Sequence, residues 1–391
     1  MNTDDLWIIA TQIFKPGSGQ GRPCYELARR IASQGNRVIL VGNEFANDLT
    51  QIPGIEFVHH DRPLRSALLG DFYLDRMTQR AVQAKGLDRL SLPIVGMGGG
   101  TPMATINWVH FLHSSWYPKY TPWWTLHGAK HRLNNRLQIW RERRALRAAQ
   151  FVIANSNGTR EEIIRRIGLN PSRVFSVYYG TDQTEVPPVT PVERQLAREH
   201  FQLDPDVPVV SFVAGLGTDH RKGFDSLINA WAIRYKRLGE RAGLVLAAGQ
   251  GNLAYWQAKI DSAGLNSSIR LLGYRKDVAT ILAASDLMVS PTRYEPYGLN
   301  VHEALCRHIP AIVTRETGVG ERYPETLENW LLNDPNDHVE LERAISLVLD
   351  DPTAPEKYGT ALTEFARELR LRSWSDMADD IMNIWQNRDL Q

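Results

Sequence analysis

Residues 285–314 read "SDLMVSPTRYEPYGLNVHEALCRHIPAIVT", and three pieces are visible in them. "DLMVSP" is a short apolar run of strand length, "GLNVHEALC" changes to helical spacing, and "IPAIVT" resumes as a strand. The intervening loop holds Glu295, Gly298 stands where the helix begins, and Glu303 lies about one and a half turns into it. The two glutamates need not share a face. Carboxylates accept the paired hydrogen bonds of vicinal hydroxyls, and the amides near Tyr297, Gly298 and Leu299 are placed to meet a phosphate at a helix N-terminus. Acidic pairs with this separation arise easily in a chain with 44 Asp and Glu. The spacing alone therefore says no more than exposed helix charge.

The same alternation continues outward. Upstream, "VPVVSFVAG" predicts a strand and "FDSLINAWAIRYKRL" a helix with Phe224, Leu227, Ile228, Trp231 and Tyr235 on one face. "GLVLAAG", "NLAYWQAKIDSAG", "SIRLLG" and "DVATILAAS" then alternate strand and helix. At the start of the chain, "LWIIAT" predicts a strand, "FKPGSGQGR" a glycine-rich loop, and "PCYELARRIASQG" a helix burying Cys24, Leu27, Ala28, Ile31 and Ala32 before the strand "RVILVG". Alternation of this kind makes a parallel sheet with helices on both faces. Pro187, Pro188 and Pro191 interrupt regular structure between the halves. The expected organisation is two doubly wound α/β domains, 1–185 and 206–370, with a linker at 186–205 and a C-terminal helix in 371–391 crossing back onto the first domain. Such sheets bind ligands beyond the carboxyl ends of their strands, so a cleft faced by both domains is the expected site.

Composition excludes several classes. The chain has 391 residues, 43% hydrophobic, and 45 Lys and Arg against 44 acids, so no global field favours nucleic acid or an anionic membrane. Cys24 and Cys306 are too few for a disulfide framework and lack the neighbours of a zinc site; they read as buried small hydrophobes in a reducing compartment. The start "MNTDDLWII" is acidic ahead of its apolar run, and no stretch reaches the roughly 18 apolar residues of a membrane span. A cytoplasmic protein is the expectation. Arg221 and Lys222 precede Gly223 and a helix, two cations where a helix start already attracts anions. "KPGSGQGRP" does not fit the dinucleotide fingerprint G-x-G-x-x-G, which counts against a nicotinamide oxidoreductase.

Taken whole, the opening stretch resembles the signature of the retaining nucleotide-sugar glycosyltransferases of family 4, which have the GT-B fold. Asp286, Pro291, Glu295, Gly298, Glu303, Ala304 and Pro310 all fall in place, and "VIANSNGTREEI", "VYYGTD", "KGFDSLINAW", "LAAGQGN" and "IRLLGYRKDV" match family segments in order. The resemblance implies two Rossmann-like domains and a hexosyl-transferring enzyme that retains anomeric configuration, of the kind found in polysaccharide biosynthesis. Its donor would be a nucleoside-diphosphate sugar and its acceptor a glycan, lipid-linked or small molecule, with no metal and no other cofactor.

Carried over residue by residue, Glu303 would bind the ribose hydroxyls, Glu295 the transferred sugar, and Lys222 the diphosphate, with Arg221 second. Tyr274 and Arg275 would border the base, Gly249 would adjoin the nucleotide, and the loop of Gly17, Gly19 and Gly21 would face the diphosphate and acceptor. His110 and His113 are the candidates for a histidine near the reacting sugar, although a lone histidine is more often structural. Two departures stand out: Gly217 occupies the place of a family arginine, and His308 with Ile309 stands where a glycine is usual before the strand. Trp116, Trp123, Trp124 and Trp140 lie among Lys119, Lys130 and several arginines. A surface of this type suits peripheral contact with the inner membrane face or an anionic acceptor, and equally a merely solvated helix. A sugar-nucleotide epimerase of similar fold and a noncatalytic sugar-nucleotide binder are the remaining alternatives.

Overall fold

The computed structural model describes residues 6–388 except 18, 20, 62–66, 87 and 117–125, with backbone alone at 67–69, 126–128 and 131. In chain order the elements up to residue 180 are β1 (Leu6–Ala10), β2 (Ile13–Phe14), α1 (Gly21–Ser33), β3 (Arg37–Gly42), β4 (Glu44–Phe45), β5 (Ile55–His59), α2 (Ala67–Ala84), β6 (Ile94–Met97), β7 (Ile106–Val109), α3 (Leu126–Ala148), β8 (Phe151–Ala154), α4 (Asn157–Ile167) and β9 (Val174–Ser176). There follow α5 (Pro191–His200), β10 (Val209–Val213), α6 (Phe224–Leu238), β11 (Leu244–Ala248), α7 (Leu253–Ser262), β12 (Ile269–Gly273), α8 (Val278–Ala284), β13 (Leu287–Ser290), α9 (Leu299–Cys306), β14 (Ala311–Thr314), β15 (Leu331–Leu332), α10 (His338–Leu349), α11 (Ala354–Leu371) and α12 (Trp374–Gln386). Two compact units result. The first holds residues up to 117, 122–180 and 372–391, and the second chiefly 181–371.

In the first unit seven parallel strands run in the order β5-β3-β1-β6-β7-β8-β9. The order reverses between β1 and β6, where Ile8 pairs with both Ile39 and Ile94. β1 is buried along its whole length, which is why "LWIIA" shows no polar alternation. α1 buries Cys24, Leu27, Ala28, Ile31 and Ala32, the face its spacing predicts. α12 lies on α1, where Arg30 grips Asp379 with two bonds of 2.8 and 2.7 Å. Its Ser373 forms a capping box with Asp376.

The second unit has six parallel strands in the order β12-β11-β10-β13-β14-β15, reversing between β10 and β13. Its core closes around Trp231, Phe224, Trp256 and Trp330. Asp286, at the amino end of β13, accepts the Val209 amide at 2.8 Å and pairs with Arg194 and Arg198 of α5, so this motif acid is a structural clasp far from the carboxyl edge.

The boundaries differ from the expected ones. The division falls after Gly180, and half of the expected 186–205 linker is α5, packed within the second unit. Pro191 sits at the start of α5, where its missing N–H costs nothing, and Thr190 caps the Glu193 amide at 3.1 Å. His308 adopts φ of 62°, the left-handed conformation of the glycine it replaces. The turn is kept, with backbone strain of about 1 kcal/mol.

Candidate functional site

The candidates in the second unit lie on loops leaving the carboxyl edge of the sheet or, for Leu299 and Glu303, in the helix α9 that one such loop enters, and the tightest cluster is at the reversal between β10 and β13. The β10–α6 loop carries Arg221 and Lys222, and the β13–α9 loop carries Glu295 and Tyr297. The two loops are fastened to each other by the Arg293 amide, which donates to the Arg221 carbonyl at 2.8 Å, and by the Arg221 guanidinium, which donates to the Tyr294 carbonyl at 3.1 Å. Gly223 fits against Pro291 so closely that a Cβ would stand 1.9 Å from the Pro291 carbonyl oxygen. Gly249 is equally constrained, its absent Cβ falling 1.7 Å from the Ala214 oxygen. Glycine is required at these positions by close backbone approach.

Lys222 and Glu295 form an ion pair across the loops, with side chains 19% and 16% exposed. Burial works against the ionised Glu295, but Lys222 and Arg221 beside it, with the Tyr297 amide, hold its carboxyl below the usual range. Gly298 caps α9 at φ of 101°, its absent Cβ 3.6 Å from Glu295 Cγ, and Leu299 opens the helix. Asn300 ties that helix start to the end of β10 through a 2.7 Å bond to the Val213 carbonyl. Glu303, one turn on, is half-buried. Arg221 stands beside Glu295 although Gly217 holds the place of the family arginine, so the site keeps two cations. Tyr274 and Arg275 follow β12, two strands from β10; Tyr274 is 66% exposed, and Arg275 is paired with Asp277.

Several contributors were not singled out in the sequence. Arg293 donates twice to Asp225, at 2.8 and 2.9 Å, while His220 Nδ1 lies 2.9 Å from the same carboxylate; these contacts brace the turn that presents Lys222. Behind α9, His302 is buried between Thr181 at 3.0 Å and the Tyr297 hydroxyl at 2.8 Å. Burial, aided by Arg322, brings its pKa down to about 3, so it is a neutral strut. Arg293 stands inside the opening stretch of sequence, but its partner Asp225 is 68 residues away.

Burial disfavours ionised Asp225, yet its bonds to Arg293 and His220 hold its carboxyl below the usual range. Depressed acids stabilise the fold above their ordinary pKa, and that contribution is lost as pH falls through the lower folded value. Asp225 and Glu295 should thus contribute fully at neutral pH and progressively less below about pH 4. Arg293→Ala should flatten this acid limb in urea titrations run from neutral to acid pH, and an unchanged limb would refute the bracing role.

The first unit is built from its own carboxyl edge. Gly17 and Gly19 follow β2, Gly21 opens α1, the loop after β6 carries Gly98, Gly99 and Gly100, and the loop after β7 carries His110 and His113. Among the described residues, nothing lies within 4 Å of a Cβ added at Gly17 or Gly19. His110 is bonded to the Tyr179 hydroxyl and stacked on that ring at 5.7 Å; burial brings its pKa down to about 3. His113 packs edge-on against Phe111 at 5.0 Å, and burial lowers its pKa too. Around them Gln12 Oε1, Thr101 Oγ1, Asn107 Oδ1, His110 Nε2 and Asn155 Oδ1 are buried without a hydrogen-bond partner among the described residues. Such a concentration of unmet polar atoms at one sheet edge suits a hydroxyl-rich guest.

On α3, Lys130, Arg132, Arg136, Arg143, Arg144 and Arg147 are exposed, with Leu133 and Trp140 71% and 56% exposed among them. Lys119, Trp123 and Trp124, expected on the same basic surface, lie outside the described residues. No helix among the described residues is long and apolar enough to cross a membrane.

Two family models match the chain. The one described as Glycosyltransferase Family 4 covers residues 17–185, and Glycosyl transferases group 1 covers 193–365, so that each falls almost wholly on one unit. The alpha-maltose-1-phosphate synthase of Mycolicibacterium smegmatis is 27% identical, over 63% of this chain and 65% of its own length. The mannosylfructose-phosphate synthase of Agrobacterium fabrum is 28% identical, over 67% of this chain and 57% of its own length. The chain thus spans less than two thirds of either relative. A solved structure of Anabaena HepE in complex with UDP and glucose superposes with a TM-score of 0.72 at 19% identity, covering 98% of this chain and 99% of that one, a likeness that shows the fold.

Proposed function

The chain belongs to the family 4 glycosyltransferases of GT-B fold, and from that premise we propose that it moves a glycosyl group from a nucleoside-diphosphate sugar to an acceptor hydroxyl with retention of configuration. The observation that carries this is the Lys222–Glu295 pair with Arg221 beside it at the reversal of the second sheet. Lys222 and Arg221 meet the diphosphate, and Glu303 the ribose hydroxyls. The UDP bound by HepE supports a diphosphate guest of this kind. When phosphate takes over Lys222, Glu295 is released to accept from hydroxyls of the transferred sugar. Of the two first-unit histidines that the family resemblance offers for the reaction, His113 is preferred because Tyr179 holds the His110 ring.

The bond from the anomeric carbon to the diphosphate breaks, a bond to the acceptor oxygen forms, and the acceptor proton passes to the departing phosphate on the same face. With Glu295 assigned to hydroxyls of the transferred sugar, no side chain among the described residues of the site is an evident nucleophile, which supports this front-face course. Charge growing on the leaving group is met by cations already fixed in position. The unmet polar atoms of the first unit fit a hydroxyl-bearing acceptor, and the basic face of α3 fits one that is anionic or lipid-linked, reached from the cytoplasmic side.

Thermal shift with uridine, guanosine and adenosine diphosphates and their sugars tests the reading. The matching nucleotide at 100 times its Kd should stabilise the wild type by about 2.7 kcal/mol, and Glu303→Ala should lose most of that shift. Acceptor-dependent release of nucleoside diphosphate should follow. A wild type that no nucleotide stabilises would defeat the proposal, and conversion of the nucleotide sugar without any acceptor would indicate epimerisation.

A further inference from the structure

α3 carries seven cations and one acid, and that acid, Glu142, is the side chain turned inward, 1% exposed. A buried carboxylate is unfavourable unless its oxygens are engaged. Here Oε2 accepts the His113 amide at 2.6 Å and Oε1 the Ser114 amide at 3.3 Å, so the carboxyl closes over two successive backbone groups of the loop after β7. The residue before it, Arg141, donates to Asp71 at 3.1 Å, and Asp71 receives Gln12 from the loop after β1 at 3.5 Å. Gly99, after β6, presses on the same turn, an added Cβ falling 3.0 Å from the Glu142 amide nitrogen. Two loops of the carboxyl edge therefore meet at one turn of α3, and a third is linked to it through Asp71 of α2.

We propose that Glu142 is a positioning residue, its carboxylate holding the His113–Ser114 segment in the shape that receives the acceptor. This rests on the glycosyl-transfer reading for its purpose and on the two amide bonds for its mechanism. Burial pushes the Glu142 carboxyl up to about 7, against the amides that favour its ionised form. The charged or titratable groups around it are His113 on the loop, Asp71 and Asp75 on α2, and Arg141, Arg143 and Arg144 on its own helix. The ionised form accepts more strongly from both amides, so the loop's two bonds tighten as pH rises through neutrality. Overall stability runs the other way, because a raised folded pKa contributes stability below the ordinary value of about 4.3 and loses it as pH rises through the folded one.

That opposition separates a positioning role from a merely structural one. Glu142→Gln places an amide donor against one of the two backbone donors. In the full-length protein at pH 8, hydrogen exchange over residues 110–116 should quicken about tenfold or more, the factor for loss of about 1.4 kcal/mol, while the melting temperature stays level or rises. After correction for intrinsic rates, wild-type protection there should weaken from about pH 8 to pH 6, and the variant should show no such trend. The acceptor KM should rise with the nucleotide-induced thermal shift unchanged. Equal exchange in the two proteins, or a melting temperature that falls together with protection, would overturn the proposal. Altered exchange with no glycosyl transfer by the wild type would reject the positioning role and the functional reading together, leaving only an anchored loop.

Discussion

Lys222→Ala should release nucleoside diphosphate from its donor about 10²–10³-fold more slowly than the wild type, the range for removing one preorganised electrostatic contact from a leaving group. The fall should lie mainly in kcat, because Lys222 does most where charge develops. A second consequence comes from its present partner. Without Lys222, Glu295 keeps Arg221 but loses its ion pair, and its carboxyl should rise toward and beyond the usual range. The double variant with Glu295→Gln should therefore lose less than the two single losses combined. Steady-state kinetics of all three proteins decide the matter: strictly additive losses would mean that the pair does not act as one unit.

Gly223→Ala should be the most damaging single-methyl change in the second unit. The residue sits at φ of 73°, and a Cβ would lie 1.9 Å from the Pro291 oxygen and 2.7 Å from its carbonyl carbon. Neither backbone can yield without parting the loops that bring Lys222 and Glu295 together. A loss of about 3–4 kcal/mol is expected, from unfavourable dihedrals and the clash combined, or about 10 °C for a unit of this size. Gly168→Ala is the control, since its φ of 75° and ψ of 40° share the left-handed region of Gly223, at 73° and 23°, but nothing among the described residues lies within 4 Å of the added atom. That variant should lose only about 1–2 kcal/mol. Equal losses in thermal melts would show that dihedral strain alone matters and that the Pro291 contact does not.

Local pattern made the alternation of strands and helices legible. α6 begins and ends where "FDSLINAWAIRYKRL" does, because four of its apolar face residues go fully into the core and Gly239 stops it. The opening stretch showed Glu295, Gly298 and Glu303 in their loop and helix positions for the same reason. What escaped notice was non-local or ambiguous. Prolines 187, 188 and 191 look alike in sequence, yet only the last stands behind a capping threonine and starts a helix. Asp225 and Glu142 are ordinary surface acids until the fold brings Arg293 to one and two loop amides to the other. In "WVHFLHSSW" only the two serines after His113 favour it over His110; the structural distinction comes from Tyr179, 69 residues from His110.

The placement of residues 372–391 bears on how the molecule is made. α12 completes the layer over α1 through Arg30 and Asp379, and Gly180 is pressed so closely to Ser373 that a Cβ would lie 2.1 Å from its carbonyl oxygen. During synthesis the first unit therefore waits, with this face of α1 open to water, while the ribosome makes the whole of the second. The part begun earliest is finished last, and premature termination near residue 371 would impair the amino-terminal half while leaving the carboxyl-terminal half intact.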